Sequence, residues 1–248
     1  MFIFLRLLLA HFIGDYPLQI NRVYILKFRG LIGVIPHVLI VTSCFILFSW
    51  PYLNQPLLWG FILFLGVTHL IQDWLKVKIG VIKPGNYFWF YVLDQLLHIG
   101  AISLLFKTDL RGLPAPIANG NLLITLYNND TLVLYLIALI VASYNGLYMI
   151  TNFKKTFLKK NGMYKPFDKW FGVIERGIIL SLFFAGLKFL LLLPLAFLLR
   201  PLACHTICRK IKPEERFKET SEMFYSWTIA IITGIVFYFI LHTPYFQQ

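Results

Sequence analysis

The sequence predicts an all-α integral membrane protein with about eight transmembrane helices, and three observations carry that expectation. Of its 248 residues, 58% are hydrophobic and only 14% charged. Soluble domains run at about 45–50% apolar and about 25% charged, so a water-facing fold of this length could not cover so much apolar surface. Windows such as Leu31 to Trp50, Leu57 to Leu75 and Thr131 to Ile150 come close to the ~20 residues a helix needs to cross ~30 Å of hydrocarbon. They show almost no amphipathic period, because lipid rewards an apolar surface on every side. Finally, lysine and arginine recur in alternate loops.

Taken in order, the spans are expected at roughly 1 to 19, 31 to 50, 57 to 75, 88 to 106, 131 to 150, 171 to 186, 189 to 208 and 222 to 242. The first lacks the basic n-region and small-residue cleavage site of a signal peptide and carries Asp15, so it is expected to be retained. Gly172 to about Ile207 is too long for one helix, which would exceed about 50 Å at ~1.5 Å per residue. A hairpin breaking near Gly186 and Lys188 is expected there.

Alternate loops hold Arg22, Lys27 and Arg29; Lys76, Lys78 and Lys83; Lys154, Lys155, Lys159, Lys160, Lys165 and Lys169; and Arg209, Lys210, Lys212, Arg216 and Lys218. The intervening loops hold only Lys107, Arg111 and Lys188. By the positive-inside rule the first set faces the cytoplasm and both termini face out, whereas seven spans would place the last basic cluster outside. The net charge of +12 therefore sets topology and favours membrane lipids with anionic headgroups, not nucleic acid. The Pro/Gly-rich stretch from Arg111 to Gly120 reads as an external loop, with Leu122 to Tyr127 at the interface. It divides the chain into a front half (1–106), a loop (107–130) and a back half (131–248). Three cysteines, Cys44, Cys204 and Cys208, form neither a disulfide framework nor a zinc pattern.

The front half carries the chemistry. His11-Phe-Ile-Gly-Asp15 and His69-Leu-Ile-Gln-Asp73 share the pattern H-x-x-x-D, offset by 58 positions, and each is followed by a basic loop and a return helix with a histidine, His37 or His98. This predicts a tandem duplication of a helical hairpin. Asp94 and His98 form a third pair at the same spacing, which puts both side chains on one helix face. Counted from the expected helix ends, all seven residues lie roughly 5 to 16 Å deep in the inner half of the membrane. Charge at that depth costs about 2.5–3.5 kcal/mol per group on insertion scales. Three aspartates and four histidines neutralise one another poorly, so one or two divalent ions are expected. Imidazole with carboxylate suits zinc, manganese or iron. A real site should bring at least four donors to a common point, roughly 4 to 5 Å apart.

Each residue also has a plainer reading. His37 alone would serve as an interhelical hydrogen-bonding residue, and Asp15 and Asp73 could cap helix ends, Asp15 being followed closely by Pro17. In the back half, adjacent Glu175 and Arg176 point about 100° apart, so each needs a partner from another helix, and the front cluster offers both signs. Alternatively, Arg176 snorkels to headgroups and Glu175 complements a helix N-terminus.

At Ala10-His11-x-x-x-Asp15-x-x-Leu18-Gln19, His37, His69-x-x-x-Asp73-x-x-Lys76, Leu93-Asp94-Gln95-x-x-His98 and Ile174-Glu175-Arg176, and weakly over Cys204 to Phe217, the chain resembles a family of uncharacterised bacterial polytopic membrane proteins, domain of unknown function 3307. The resemblance implies a bacterial inner-membrane protein but no activity. Where the family pattern has a small residue, Lys and Ser before the last span, this chain has Cys204-His205-Thr206. No cationic role is carried over there.

The residues themselves point to a metal-dependent hydrolase open to the cytoplasmic leaflet and acting on an amphiphilic lipid or lipid-linked phosphate or ester. His11, His37, His69 and His98, with Asp15, Asp73 and Asp94, are candidate ligands. The aspartates and Glu175 are candidate bases, and Arg176 is a candidate anion-holding group. The rival expectations are a proton- or metal-ion-coupled transporter, since intramembrane His and Asp also build ion pathways, and a non-catalytic membrane partner protein.

Overall fold

The computed structural model describes residues 1–82, 85–159, 166–206 and 220–246, without the side chains of 81, 166–169, 200, 203–206 and 220–222. Lys83, Lys160, Lys165, Cys208 and the basic run from Arg209 to Lys218 lie outside these residues, as do the side chains of Lys169, Cys204, His205 and Thr206. Among the described residues every regular element is helical. The α-helices are α1 (Phe2–Asp15), α2 (Asn21–Leu26), α3 (Leu31–Phe48), α4 (Pro56–Ile82), α5 (Tyr87–Ser103), α6 (Leu122–Asn128), α7 (Asp130–Ile140), α8 (Gly146–Phe157), α9 (Pro166–Ala185), α10 (Leu193–Thr206) and α11 (Thr220–Leu241). A π-helical turn, Val141–Asn145, joins α7 to α8.

Among the described residues, five stretches are long and apolar enough to cross a membrane: Leu31–Phe48, Pro56–Gly80, Tyr87–Lys107, Asp130–Phe157 and Met223–Leu241. Their outward faces are apolar too, as at Ile32, Leu39, Leu63 and Phe239, an arrangement that water disfavours and lipid does not. The other expected spans differ for local reasons. Helix α1 has only 14 residues, because Pro17 stands just beyond its end. Helix α9 carries Asp168, Lys169, Glu175 and Arg176 along its length. Gly186, at φ +112°, ends α9 and the chain passes through a tight helical turn, Leu187–Leu192, into α10, the break expected there. A left-handed φ is available cheaply only to glycine.

The chain forms two compact units, Met1–Ile137 and Ala138–Gln248. In the first, α1 packs on α3, α3 on α4, α4 on α5 and α5 back on α1, closing a four-helix ring. Its hydrophobic core is built from Ile3, Leu7, Val41, Phe45, Leu58, Leu65, Ile102 and Leu105, among others. In the second unit α9 packs on α10 and α11, around Ile179, Phe183, Ala196 and Ala230.

Close approach sets the spacing of the first unit. A Cβ on Gly14 of α1 would lie 3.0 Å from the Val41 Cα of α3, and one on Gly66 of α4 would lie 3.0 Å from Thr42 Oγ1. Small residues at such crossings let helix backbones touch.

At the other end of the ring from the candidate site, a buried arginine fastens the chain. Arg6 is fully buried on α1. Its guanidinium donates to the Asp130 carboxylate, to the Tyr127 carbonyl and, at 3.1 Å, to the Phe2 carbonyl, while it lies 3.5 Å from the centre of the Phe2 ring. Tyr52 donates to the Pro114 carbonyl at 2.6 Å, Tyr127 to Phe48 at 2.9 Å and Asn128 to Pro116 at 2.6 Å. Burial pushes the Tyr52 phenol up to about 12, against the pull of Arg6, so it stays a donor. The 107–130 stretch is thus tied down, with Leu122, Leu123 and Leu126 of α6 facing outward. Replacing Arg6 with Met is expected to cost about 3 kcal/mol, the lower end for orphaning a buried ionic partner, because Asp130 keeps some solvent contact. Thermal unfolding in detergent checks this.

Candidate metal centre

Four elements of the first unit bring polar side chains to one place. Helix α1 supplies His11 and Asp15, α3 supplies His37, α4 supplies His69 and Asp73, and α5 supplies Asp94 and His98, and all seven are buried. The i,i+4 spacing stacks each His over its Asp on the inward face. The glycine contacts then bring α1 and α4 up against α3, so that His37 lies between the two H-x-x-x-D turns.

His37 Nε2 lies 3.1 Å from Asp15 Oδ1, 3.1 Å from His69 Nε2 and 3.4 Å from Asp73 Oδ2. His69 Nε2 lies 3.3 Å from Asp15 Oδ1 and 3.7 Å from Asp73 Oδ2. These separations are shorter than the 4 to 5 Å expected from sequence. One ring nitrogen carries at most one proton, so hydrogen bonding alone cannot satisfy so many neighbours. Metal–ligand bonds of about 2.0–2.1 Å around a tetrahedral ion set donors about 3.3 Å apart. Asp15, His37 and His69, at 3.1–3.3 Å from one another, have the spacing that such an ion requires, and Asp73 lies 3.4 Å from His37 and 3.7 Å from His69.

Two lysines alter the expected charge balance. Lys27, from the turn Lys27–Arg29, is buried and donates to Asp73 Oδ2 at 2.7 Å. Lys76 donates to Asp94 Oδ2 at 2.6 Å. In the sequence both stand among the basic loop residues, and the missing positive charge is expected from metal alone. The ammonium groups meet two of the three carboxylates: Lys27 reaches Asp73 from its own turn, and Lys76 reaches Asp94 because α4 runs on past the expected end at residue 75 to Ile82. Asp15 has no lysine partner among the described residues. Tyr16 and Tyr91 are within 2.6 Å of each other through their hydroxyls, close to the same end of α1 and α5.

Around this core, several buried polar atoms have no hydrogen-bond partner among the described residues: both ring nitrogens of His11, His98 Nε2, Asp94 Oδ1 and Gln72 Oε1. His11 and His98 stack at 5.0 Å between centroids, and His98 meets His69 edge-on at 4.2 Å. His11, His69, His98 and Gln72 line a cavity of about 10 Å³, room for about one water or ion.

Glu175 and Arg176, the other two candidates, lie buried in the second unit with partners from that unit. Arg176 donates to Ser226 Oγ at 2.9 Å and to the Ser143 carbonyl at 2.8 Å. Glu175 accepts from Trp227 Nε1 at 2.8 Å and from Ser226 at 3.1 Å.

Residues 3–114 match the profile of a family described as a protein of unknown function (DUF3307). All seven clustered His and Asp residues fall inside the match, while Glu175, Arg176 and the 204–217 stretch lie beyond it. No curated protein and no solved structure matches the chain.

Two outcomes are expected. Gly14→Ala drives α1 off Val41 and weakens divalent-ion binding by roughly 10-fold, the scale seen when support around metal ligands is lost, measured by ion titration of the purified protein. Glu175→Ala removes the acceptor of Trp227 Nε1 and Ser226 and is expected to cost about 1–3 kcal/mol, with a shift in Trp227 emission.

Proposed function

Since residues 3–114 of the chain match this family's profile, whose description carries no activity, we propose from the chemistry of the site that the protein is a metal-dependent hydrolase of the bacterial inner membrane. Its substrate is a lipid or lipid-linked phosphate or ester. The observation that carries the reading is the four-donor set: five separations of 3.1–3.7 Å among Asp15 Oδ1, His37 Nε2, His69 Nε2 and Asp73 Oδ2. A mixed imidazole and carboxylate set suits zinc, manganese or iron. When bound there, such an ion supplies Lewis acidity to activate water and polarise the substrate oxygen.

The residues divide the work. Asp15, His37 and His69 hold the ion. Asp73 is the fourth ligand, its oxygen steadied by Lys27, as second-shell donors commonly steady ligating carboxylates. Asp94, held by Lys76, forms the wall beside His98. Glu175 and Arg176 pin α9 to α11 and the π-helical turn. The finer architecture in this reading is eight spans with both termini outside. The front four arise from a duplicated hairpin, which matches the equivalent placement of the two H-x-x-x-D turns on α1 and α4. The centre then lies toward the cytoplasmic leaflet, and the Arg6 tie lies toward the outer one.

Elemental analysis of the detergent-purified protein is expected to find at least one equivalent of a divalent transition ion. Asp15→Ala or His37→Ala should lower it more than 10-fold while the helical circular dichroism is retained. An ion-free wild type of unchanged fold overturns the metal centre. With the ion established, turnover of lipid phosphates or esters that chelation abolishes supports hydrolysis. Ion flux across liposomes without turnover would assign the site to transport instead.

A further inference from the structure

The four-donor set leaves two histidines unexplained. His98 Nδ1 lies 2.7 Å from the Asp94 carbonyl oxygen, which can only accept a hydrogen bond. The proton of a neutral His98 is therefore on Nδ1, and Nε2 presents a bare lone pair. That lone pair is buried and unpartnered among the described residues. A ring whose far nitrogen is fixed by a backbone carbonyl is the usual setting of a metal-ligating histidine. His11 is fully buried, with neither ring nitrogen hydrogen-bonded to a described residue, and its Nε2 lies 3.8 Å from Asp15 Oδ2. This is the carboxylate oxygen that the first set does not use. His11 and His98 line the same cavity, which Gln72 and Thr68 complete on the polar side.

We propose that the centre is dinuclear: a second divalent ion binds in this cavity on His11 and His98, and Asp15 bridges the two ions through its two oxygens. This rests on the four-donor centre proposed above and deepens it. Of the other groupings that could hold an ion, His11 with Asp15 and His69 overlaps this position, and that among Asp73, Asp94 and His98 is already served by cations. Lys76 lies on Asp94 and Lys27 on Asp73, and the His98 nitrogen on that side is engaged with the backbone. The His11–His98 side has no ammonium group among the residues lining it.

Two ions narrow the substrate class. Three carboxylates, two ammonium groups and two divalent ions leave a surplus of positive charge in a buried site, and such a surplus calls for an anion. Paired ions also suit displacement at phosphorus, where attacking and leaving oxygens both carry negative charge. The structure thus favours a phosphate ester over a carboxylic ester.

The test uses the full-length wild type in detergent, loaded with Mn²⁺ alone. Two ions per chain by elemental analysis, with an exchange-coupled pair in the electron paramagnetic resonance spectrum, are the expected result. His98→Gln and His11→Ala should each retain one ion and lose the coupling, while His37→Ala disturbs the first position. One uncoupled ion in the wild type overturns the second site and leaves the first standing. No ion at all overturns both. Two ions that persist uncoupled, or that survive His98→Gln, also sink the bridged arrangement. The coupling in the wild type decides the matter even if a variant fails to fold. Inorganic phosphate should alter the coupled spectrum, and a spectrum indifferent to it overturns the phosphate assignment alone.

Discussion

Everything in the first unit is arranged around His37 Nε2, a single buried nitrogen with two carboxylate oxygens and a second imidazole nitrogen within 3.4 Å. Burying these groups without compensation is expensive, and a neutral imidazole can donate only one proton. The surrounding fold answers that demand in layers. The central donors are spaced to hold a divalent ion, Lys27 and Lys76 meet Asp73 and Asp94 from the side, and the His98 tautomer is fixed by a backbone carbonyl. The four-helix ring is the minimum frame that can deliver donors from α1, α3, α4 and α5 to one point.

The two ends of that ring have different duties. One end gathers the histidines and carboxylates. The other is closed by Arg6, whose guanidinium reaches Asp130 and the Tyr127 carbonyl and lies against Phe2. Arginine suits this place because its planar fork stays charged and meets several acceptors together while stacking on an aromatic face. Tyr52, Tyr127 and Asn128 add hydrogen bonds that hold the 107–130 segment to the ring. In the second unit, Glu175 and Arg176 do comparable work, pairing with Ser226, Trp227 and Ser143 on neighbouring elements.

Much of the site was legible in the sequence because its chemistry is local. A spacing of four residues already states that His11 and Asp15, or His69 and Asp73, share a helix face, and carboxylates inside apolar runs announce themselves. What was not legible depends on contacts between helices. Lys76 looks like an ordinary topology charge until α4 is seen to continue to Ile82, and Lys27 until its turn is found against Asp73. Gly14 and Gly66 have no chemistry of their own, and their importance appears only when Val41 and Thr42 are found against them. Arg6 stands near the chain's start in an apolar run, and its partners come more than a hundred residues later. The span count shows the same limit. Hydropathy finds apolar runs, but the 14 residues of α1 and the charges along α9 set them apart from the five long helices.

Helices that touch at glycine cannot move closer, and separating them exposes buried charge, so the distance between opposing donors is nearly fixed. Ions of equal valence differ chiefly in radius. Calcium favours six to eight oxygens at about 2.3–2.6 Å, which would require α1 and α4 to retreat from α3 and the imidazoles to give way to harder ligands. The contacts of Gly14 with the Val41 backbone and of Gly66 with the Thr42 side chain therefore act as a gauge: in the proposed centre, helix spacing would favour small transition ions over the larger alkaline-earth ones.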